Sequence, residues 1–137
     1  MATYKEAFIE YLKGEGLKYK DIDERALTLS WDSDTVPNGI TVIVIFDKDN
    51  HNGVHFMCQG FCKAPQNKVE AMYAVCNACN KQSRWVKFYT NDDGDIVAED
   101  DAILDMANVG RECIELVARI VRIVGESFPT FMKAIYA

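Results

Sequence analysis

The spacing of apolar residues changes twice along the chain, and these changes restrict the fold more than any other feature. Leu27, Leu29 and Trp31 alternate with polar residues, as one buried face of a β-strand requires. From Lys68 onward, apolar residues recur three or four positions apart, which is helical spacing, and alternation returns in residues 84–90. A chain with this pattern is expected to fold as an α+β protein in which helices cover a sheet.

Turn residues separate the strand-like segments into two groups. Residues 36–39, with the sequence Val-Pro-Asn-Gly, and the polar residues 47–53 predict turns on either side of a β-branched strand at 40–46. Together with residues 54–63 these segments predict an antiparallel meander of three strands. A second hairpin is predicted where the Asn-Asp-Asp-Gly turn at 91–94 joins residues 84–90 to residues 96–99.

Helical spacing marks the first, middle and last parts of the chain. The first helix carries Tyr4, Phe8 and Leu12 on one face and is expected to stop at the glycines that follow. The last helix has an apolar stripe and a charged outer face, and we expect an interruption at Gly125 before a final turn that begins near Pro129. On the charged face, the spacing predicts solvated i,i+4 pairs among Arg111, Glu115, Arg119 and Arg122. The predicted order is therefore α-β-β-β-α-β-β-α, with a five-stranded antiparallel sheet and three helices in a single domain spanning residues 1–137.

Composition and charge exclude several classes of partner. The chain has 137 residues, of which 49% are apolar, so it can bury a core without disulfides or metal. Its net charge of −6 and scattered basic residues argue against nucleic acid as a partner. No apolar run is long enough to span a membrane, and the N-terminal segment lacks the apolar centre of a signal peptide. We therefore expect a cytoplasmic protein.

Particular residues in this order resemble those of a known family. They are the Asn77 and Asn80 pair at the end of the middle helix, residues 86–88, the turn at 92–94, the strand at 96–99 and the late Phe-Pro at 128–129. With these features the chain resembles the YbjN family of bacterial sensory-transduction regulators over nearly its whole length. The resemblance implies the type III secretion chaperone-like fold. It also implies a protein-interaction or chaperone-like role, frequent homodimers and no bound cofactor.

The five cysteines suggest an alternative function, a zinc- or thiol-dependent protein. Two pairs are separated by a short spacer, roughly as a four-thiolate site requires, namely Cys58, Cys62, Cys76 and Cys79. However, the first pair has the parity of a buried strand face, and the second lies on the apolar stripe of a helix, where cysteine behaves as a small hydrophobe. The second pair also lies near a helix C-terminus, where the dipole opposes thiolate formation. We therefore expect buried cysteines and no metal or cofactor.

No catalytic motif is evident in the sequence. His55 is expected to face solvent or a partner, and nothing around it supports a Cys–His pair with Cys58 or Cys62. The acidic run at 99–101 is interpreted as a solvated face. A non-enzymatic protein is therefore favoured, and a small-ligand sensor stays open as a further alternative.

The sheet carries more large apolar residues than one buried face needs. Those with the opposite parity predict a surface for a second copy of the chain or for another protein. The predicted protein-binding residues are Trp85, Tyr89, Met57, Phe61, Ile43 and Ile45. Among them, Trp85 and Tyr89 are predicted to be the anchors.

Overall fold

The structure is a computed structural model, and it describes residues 2–137. In this part of the chain, three α-helices and six strands form an α+β fold, as the apolar spacing predicted. The elements are α1 (Tyr4–Gly14), β1 (Lys20–Asp21), β2 (Ala26–Trp31), β3 (Ile40–Phe46), β4 (Gly53–Cys58), α2 (Val69–Gln82), β5 (Lys87–Thr90), β6 (Ile96–Ile103) and α3 (Val109–Ile135).

The strands form one antiparallel sheet in the order β1-β2-β3-β4-β6-β5. The prediction of five strands is therefore wrong. The additional strand, β1, has two exposed residues, Lys20 and Asp21, and pairs with β2 at the edge of the sheet. Two residues are too few to show a hydrophobic period, so the sequence carried no signal for β1.

The helices lie on one side of the sheet, which we call the covered face. Helix α3 packs across β3, β4 and β6, while α1 and α2 pack against α3. On the sheet, the side chains beneath the helices come from alternate positions of each strand, including Leu27, Leu29, Val42, Val44, Phe56, Cys58, Phe88 and Ala98. All of these are at most 2% exposed, so the period of two did identify the buried face of β2, β3, β4 and β5.

Helix α3 is continuous, contrary to the predicted interruption at Gly125. It runs from Val109 to Ile135 and contains Pro129. Proline has no N–H to donate, so it leaves the carbonyl four residues earlier, that of Gly125, without its helical partner. The hydroxyl of Thr35 donates to this carbonyl oxygen at 2.6 Å. A contact from the β2–β3 loop therefore satisfies the group that the proline frees.

Two further contacts hold the helices in place. Helix α1 approaches α3 so closely that a Cβ at Gly110 would lie 2.1 Å from Cγ of Tyr11. At the other end of the sheet, the Asn80 side chain of α2 pairs with edge strand β5 as a neighbouring strand would. Its Nδ2 donates to the Phe88 carbonyl at 3.0 Å, and its Oδ1 accepts from the Phe88 N–H at 2.7 Å. This pairing positions the short connection between α2 and β5.

Candidate functional site

The face of the sheet opposite the helices, which we call the open face, keeps several large side chains partly exposed. Ile43 and Ile45 on β3 alternate with the buried Val42 and Val44, so they point away from α3. Met57 on β4 lies directly across from Ile43. Beside the two isoleucines, a depression of about 410 Å³ is also lined by Ile22 and Arg25. Ile43, Ile45 and Met57 form what we call the apolar half of the open face.

The other half of the open face is a hydrogen-bonded polar cluster. His55 lies opposite Asp101 across the β4–β6 pairing, and its Nδ1 is 2.7 Å from the Asp101 carboxylate. Its Nε2 is 3.2 Å from a carboxylate oxygen of Glu99. The hydroxyl of Tyr89 on β5 donates a hydrogen bond to Glu99, and this raises the pKa of Tyr89 to about 12. Four residues of three adjacent strands therefore form one polar cluster.

Trp85 lies just before β5 in a strained three-residue turn. The Val86 N–H donates to the Arg84 carbonyl at 2.8 Å, and Trp85 between them has a φ of 73°. This is the turn in which the central residue has positive φ, a conformation that is rare for a residue with a side chain. The indole is 55% exposed, and the Arg84 guanidinium carbon lies 5.9 Å from the centre of its ring. The turn therefore holds a large aromatic side chain outside the core.

The structure brings some of the predicted binding residues together and separates others. Ile43, Ile45 and Met57 are neighbours on the open face, whereas Glu99 lies across from Met57 on the next strand and separates it from Tyr89. Trp85 is outside strand β5, at the end of the sheet.

Phe61 lies on the covered side. Its ring packs edge-on against Phe88, with 6.5 Å between the centroids, among the core residues. Strand β4 ends at Cys58, and Gly60 has a φ of 80°, so the alternation that would place Phe61 with Met57 does not continue that far.

The cysteines are buried in the core, and all five are free. Burial raises the pKa of Cys58 and of Cys113 to about 12 and that of Cys62 to about 11. Burial also raises the pKa of Cys76 and Cys79. Thiols with such pKa values are protonated at neutral pH, so they are weak nucleophiles and weak metal ligands.

The geometry does not favour the two thiol-based alternatives. Within residues 2–137, no group of three or more His, Cys, Asp and Glu side chains is close enough together to hold a metal ion. A Cys–His pair that uses Cys58 fails on parity, because Cys58 lies on the covered face and His55 on the open face of the same strand.

Asp100 is a buried carboxylate, so the prediction that the acidic run at 99–101 is a solvated face is wrong for this residue. It lies across from Phe56 on the covered face and is only 7% exposed. Its Oδ1 accepts from the Asp101 N–H at 2.8 Å, while its Oδ2 has no hydrogen-bond partner in the described part of the chain. Burial raises the pKa of Asp100, and the positive charge of Arg119 opposes this. The sequence did carry a signal for this burial. Ala98 and Ala102 lie two residues before and after Asp100, so all three side chains point to the same face of the strand.

A membrane-spanning helix is not found among the described residues, since none of their helices combines the required length with sufficient apolar character.

Comparison with known proteins gives a family and a fold. Residues 5–135 match the model of the YbjN family, described as "Putative bacterial sensory transduction regulator". This match confirms the resemblance drawn from Asn77, Asn80 and the turn at 92–94. The crystal structure of YbjN from E. coli, described as "a putative transcription regulator", superposes with a TM-score of 0.64 at 16% identity and covers 89% of each chain. At this identity the likeness concerns the fold alone. No curated protein matches the sequence significantly.

Proposed function

The chain belongs to the YbjN family, and from this membership we propose that it is a non-enzymatic regulator that binds proteins through its open face. In this proposal, residues 1–137 form a single cytoplasmic domain of the type III secretion chaperone-like fold, without a cofactor. The apolar half of the open face binds a second copy of the chain, and Trp85 and Tyr89 bind a protein partner.

The observation that carries the proposal is the partial exposure of Ile43, Ile45 and Met57. These side chains lie on two paired strands within the sheet, where their backbone is held by hydrogen bonds on both sides. An apolar surface on so rigid a support loses little entropy when it is buried. Burial of apolar area contributes about 25 cal/mol for each Å² before the entropic costs of association are subtracted, and a preorganised surface lowers those costs. A twofold homodimer would bury the same residues of both copies against each other.

The edge of the sheet supports a different kind of contact. Trp85 and Tyr89 are 55% and 42% exposed, and aromatic residues of this kind are frequent among the side chains that dominate binding energy. Glu99 lies beside Tyr89, whereas Arg84 lies over the ring of Trp85. We infer that the partner segment is apolar with a basic residue near Tyr89, because an acidic residue there would be repelled by Glu99.

The proposal of a non-enzymatic role is supported by the surroundings of the side chains that could act in catalysis, the cysteines and His55. The thiols are protonated and buried. Both ring nitrogens of His55 lie within 3.2 Å of carboxylate oxygens, so neither is directed at a nucleophilic side chain.

Replacing the two edge aromatics tests the partner surface. The double variant Trp85→Ser, Tyr89→Ser should lower the affinity for a partner captured from native lysate by at least about tenfold, as expected for the loss of binding-energy hot spots. Its thermal midpoint should stay close to that of the unchanged chain, because about half of each side chain is exposed to solvent. Tyr73→Ser is the matched control, since Tyr73 is 57% exposed on α2. The affinity of the double variant is measured by titration with the purified partner. An unchanged affinity would show that Trp85 and Tyr89 do not bind the partner.

Replacing the isoleucines tests the dimer. Ile43→Thr with Ile45→Thr keeps β-branched residues in the strand and removes apolar area from the open face. Light scattering after size exclusion should show a dimer for the unchanged chain and a monomer for this variant. A monomeric unchanged chain at tens of micromolar, or a variant that stays dimeric, would show that the apolar half is not the dimer interface.

A further inference from the structure

A polar groove of about 510 Å³ lies between the end of α2 and the middle of α3. It is away from the apolar half of the open face and shares only Trp85 with the residues assigned above. Its lining includes hydroxyl groups of Ser127 and Thr130 and three guanidinium groups, from Arg84, Arg119 and Arg122. The volume is in the range of about 300–1,000 Å³ that is typical of small-molecule sites.

The arginines of the groove are only partly neutralised. Arg119 is ion-paired with Glu115 at 3.0 Å. For Arg84 and Arg122, no ion pair occurs among residues 2–137, and both side chains are exposed. Glu126 is the one acidic residue in the lining. In a chain with a net charge of −6, this convergence of positive charge is a local exception.

The end of α2 would by itself disfavour an anion in the groove, because a helix C-terminus carries partial negative charge. Lys87 counteracts this effect. Its ammonium group donates to the carbonyl of Asn80 at 2.9 Å and to that of Ser83 at 2.7 Å. The groove therefore has a neutralised helix end. Arg84 lies over the Trp85 ring and Arg122 has no ion pair among the described residues, so both can accept an anion.

Trp85 adds an aromatic surface to the same groove. Its indole borders the arginines and is held in place by the strained turn between Arg84 and Val86. A flat aromatic side chain beside cationic groups suits a ligand that carries both a ring and an anion. The ring can stack on the indole, while guanidinium groups bind phosphate through paired hydrogen bonds.

We propose that this groove binds a nucleoside monophosphate. Arg84 and Arg122 hold the phosphate, the indole of Trp85 stacks on the base, and the hydroxyls of Ser127 and Thr130 bond to the ribose or the phosphate. This site goes beyond the protein-binding role. It is separate from the proposed dimer surface and shares only Trp85 with the surface assigned to a protein partner.

Fluorescence of Trp85 provides a direct test with adenosine monophosphate as the probe. The chain has two tryptophans, so Trp31→Phe leaves Trp85 as the reporter. Adenosine monophosphate should change its fluorescence saturably, and inorganic phosphate and adenosine should each bind at least about tenfold more weakly, since each lacks one set of contacts. Calorimetry on the unmodified chain repeats the measurement without the tryptophan substitution.

Substitutions of arginines inside and outside the groove provide a second test with a matched control. Arg84→Gln with Arg122→Gln should weaken binding about 100-fold, because each charge-assisted hydrogen-bonding group contributes roughly a factor of ten. Arg111→Gln, at an exposed position of α3 outside the groove, should leave binding unchanged. No saturable signal with the unmodified arginines, or equal affinity in the double variant, would overturn the proposal. Equal affinity for inorganic phosphate would overturn the part assigned to Trp85.

Discussion

Strand β6 places two neighbouring aspartates on opposite faces of the sheet, and their surroundings differ completely. Asp100 lies beneath the helices with one oxygen unpartnered, and its pKa is raised by burial. The side chain of Asp101 is 76% exposed and bonds to His55. The residue type and the strand are the same, so the difference comes from the helix layer on one side. Position relative to α3 therefore decides which acidic groups are constrained and which are available for binding.

The same comparison applies to apolar neighbours on β4. Phe56 is fully buried on the covered face, whereas the next residue, Met57, is partly exposed on the open face. The covered face has its partner, the helix layer, within the chain. The open face has an apolar half with no such layer, and that is why the proposal places a second copy there.

The largest expected effect separates Phe56 from Met57. Phe56→Ala should lower the free energy of unfolding by about 3–5 kcal/mol, because it leaves a cavity in the core. Met57→Ala should lower it by roughly 1 kcal/mol or less, since less of its surface is lost from water on folding. Urea denaturation at low protein concentration measures both. Equal losses of unfolding free energy in the two variants would show that the two faces are equally buried, contrary to the structure.

The tightness of the helix layer is tested at the α1–α3 crossing. Gly110→Ala places a methyl group where the Tyr11 ring lies 2.1 Å away, so the helices must separate. The expected loss of unfolding free energy is about 1–3 kcal/mol. Gly14→Ala is the control, because no heavy atom lies within 4 Å of its added Cβ. If Gly110→Ala were as stable as the control, the helices would not pack as closely as the structure shows.

The pair of aspartates gives a pH-dependent test. A raised pKa in the folded state means that ionising Asp100 costs stability, so the cost is absent below its ordinary pKa of 3.8 and is present once the pH exceeds the raised value. Asp100→Asn should therefore raise the thermal midpoint at pH 7 by about 4 °C for each kcal/mol of relieved desolvation. The gain should disappear under acidic conditions. Asp101→Asn should show no such gain, and a gain of the same size there would contradict the assignment of the two faces.

The smallest effect is expected in the polar cluster of the open face. His55→Gln removes contacts to Glu99 and Asp101 at partly exposed positions, where pairs of this kind contribute about 0.2–1 kcal/mol. A double-mutant cycle with Asp101→Asn isolates the contact between the two side chains. A coupling well above 1 kcal/mol would show that the cluster is buried from solvent, for instance by a second copy.

Much of the fold was predictable from local pattern. The period of two identified the buried positions of β2, β3 and β4, and the helical stripe placed Cys76 and Cys79 in the core. The family resemblance rested on Asn80 and on the turn at 92–94. Asn80 proves to pair with the backbone of Phe88, so a side chain that carried the resemblance also joins α2 to β5.

The candidate site was less predictable, because it depends on where regular structure ends. Gly60 turns the chain after β4 and sends Phe61 to the covered side. Trp85 shares the parity of Tyr89, but the turn with positive φ places it outside the strand. Arg84 and Arg122 are 38 positions apart in the sequence, and only the packing of α2 against α3 brings them to one groove.

The sequence by itself determined most of the helices and strands and the buried positions of the central strands, because hydrophobic period and turn residues act over a few neighbouring positions. Only the tertiary structure decided which residues of β6 lie beneath the helices, since that depends on contacts between distant segments. That choice buries Asp100 and leaves Asp101 exposed. It also leaves Ile43 and Met57 on an open face and brings Arg84, from the turn after α2, to the arginines of α3 around Trp85.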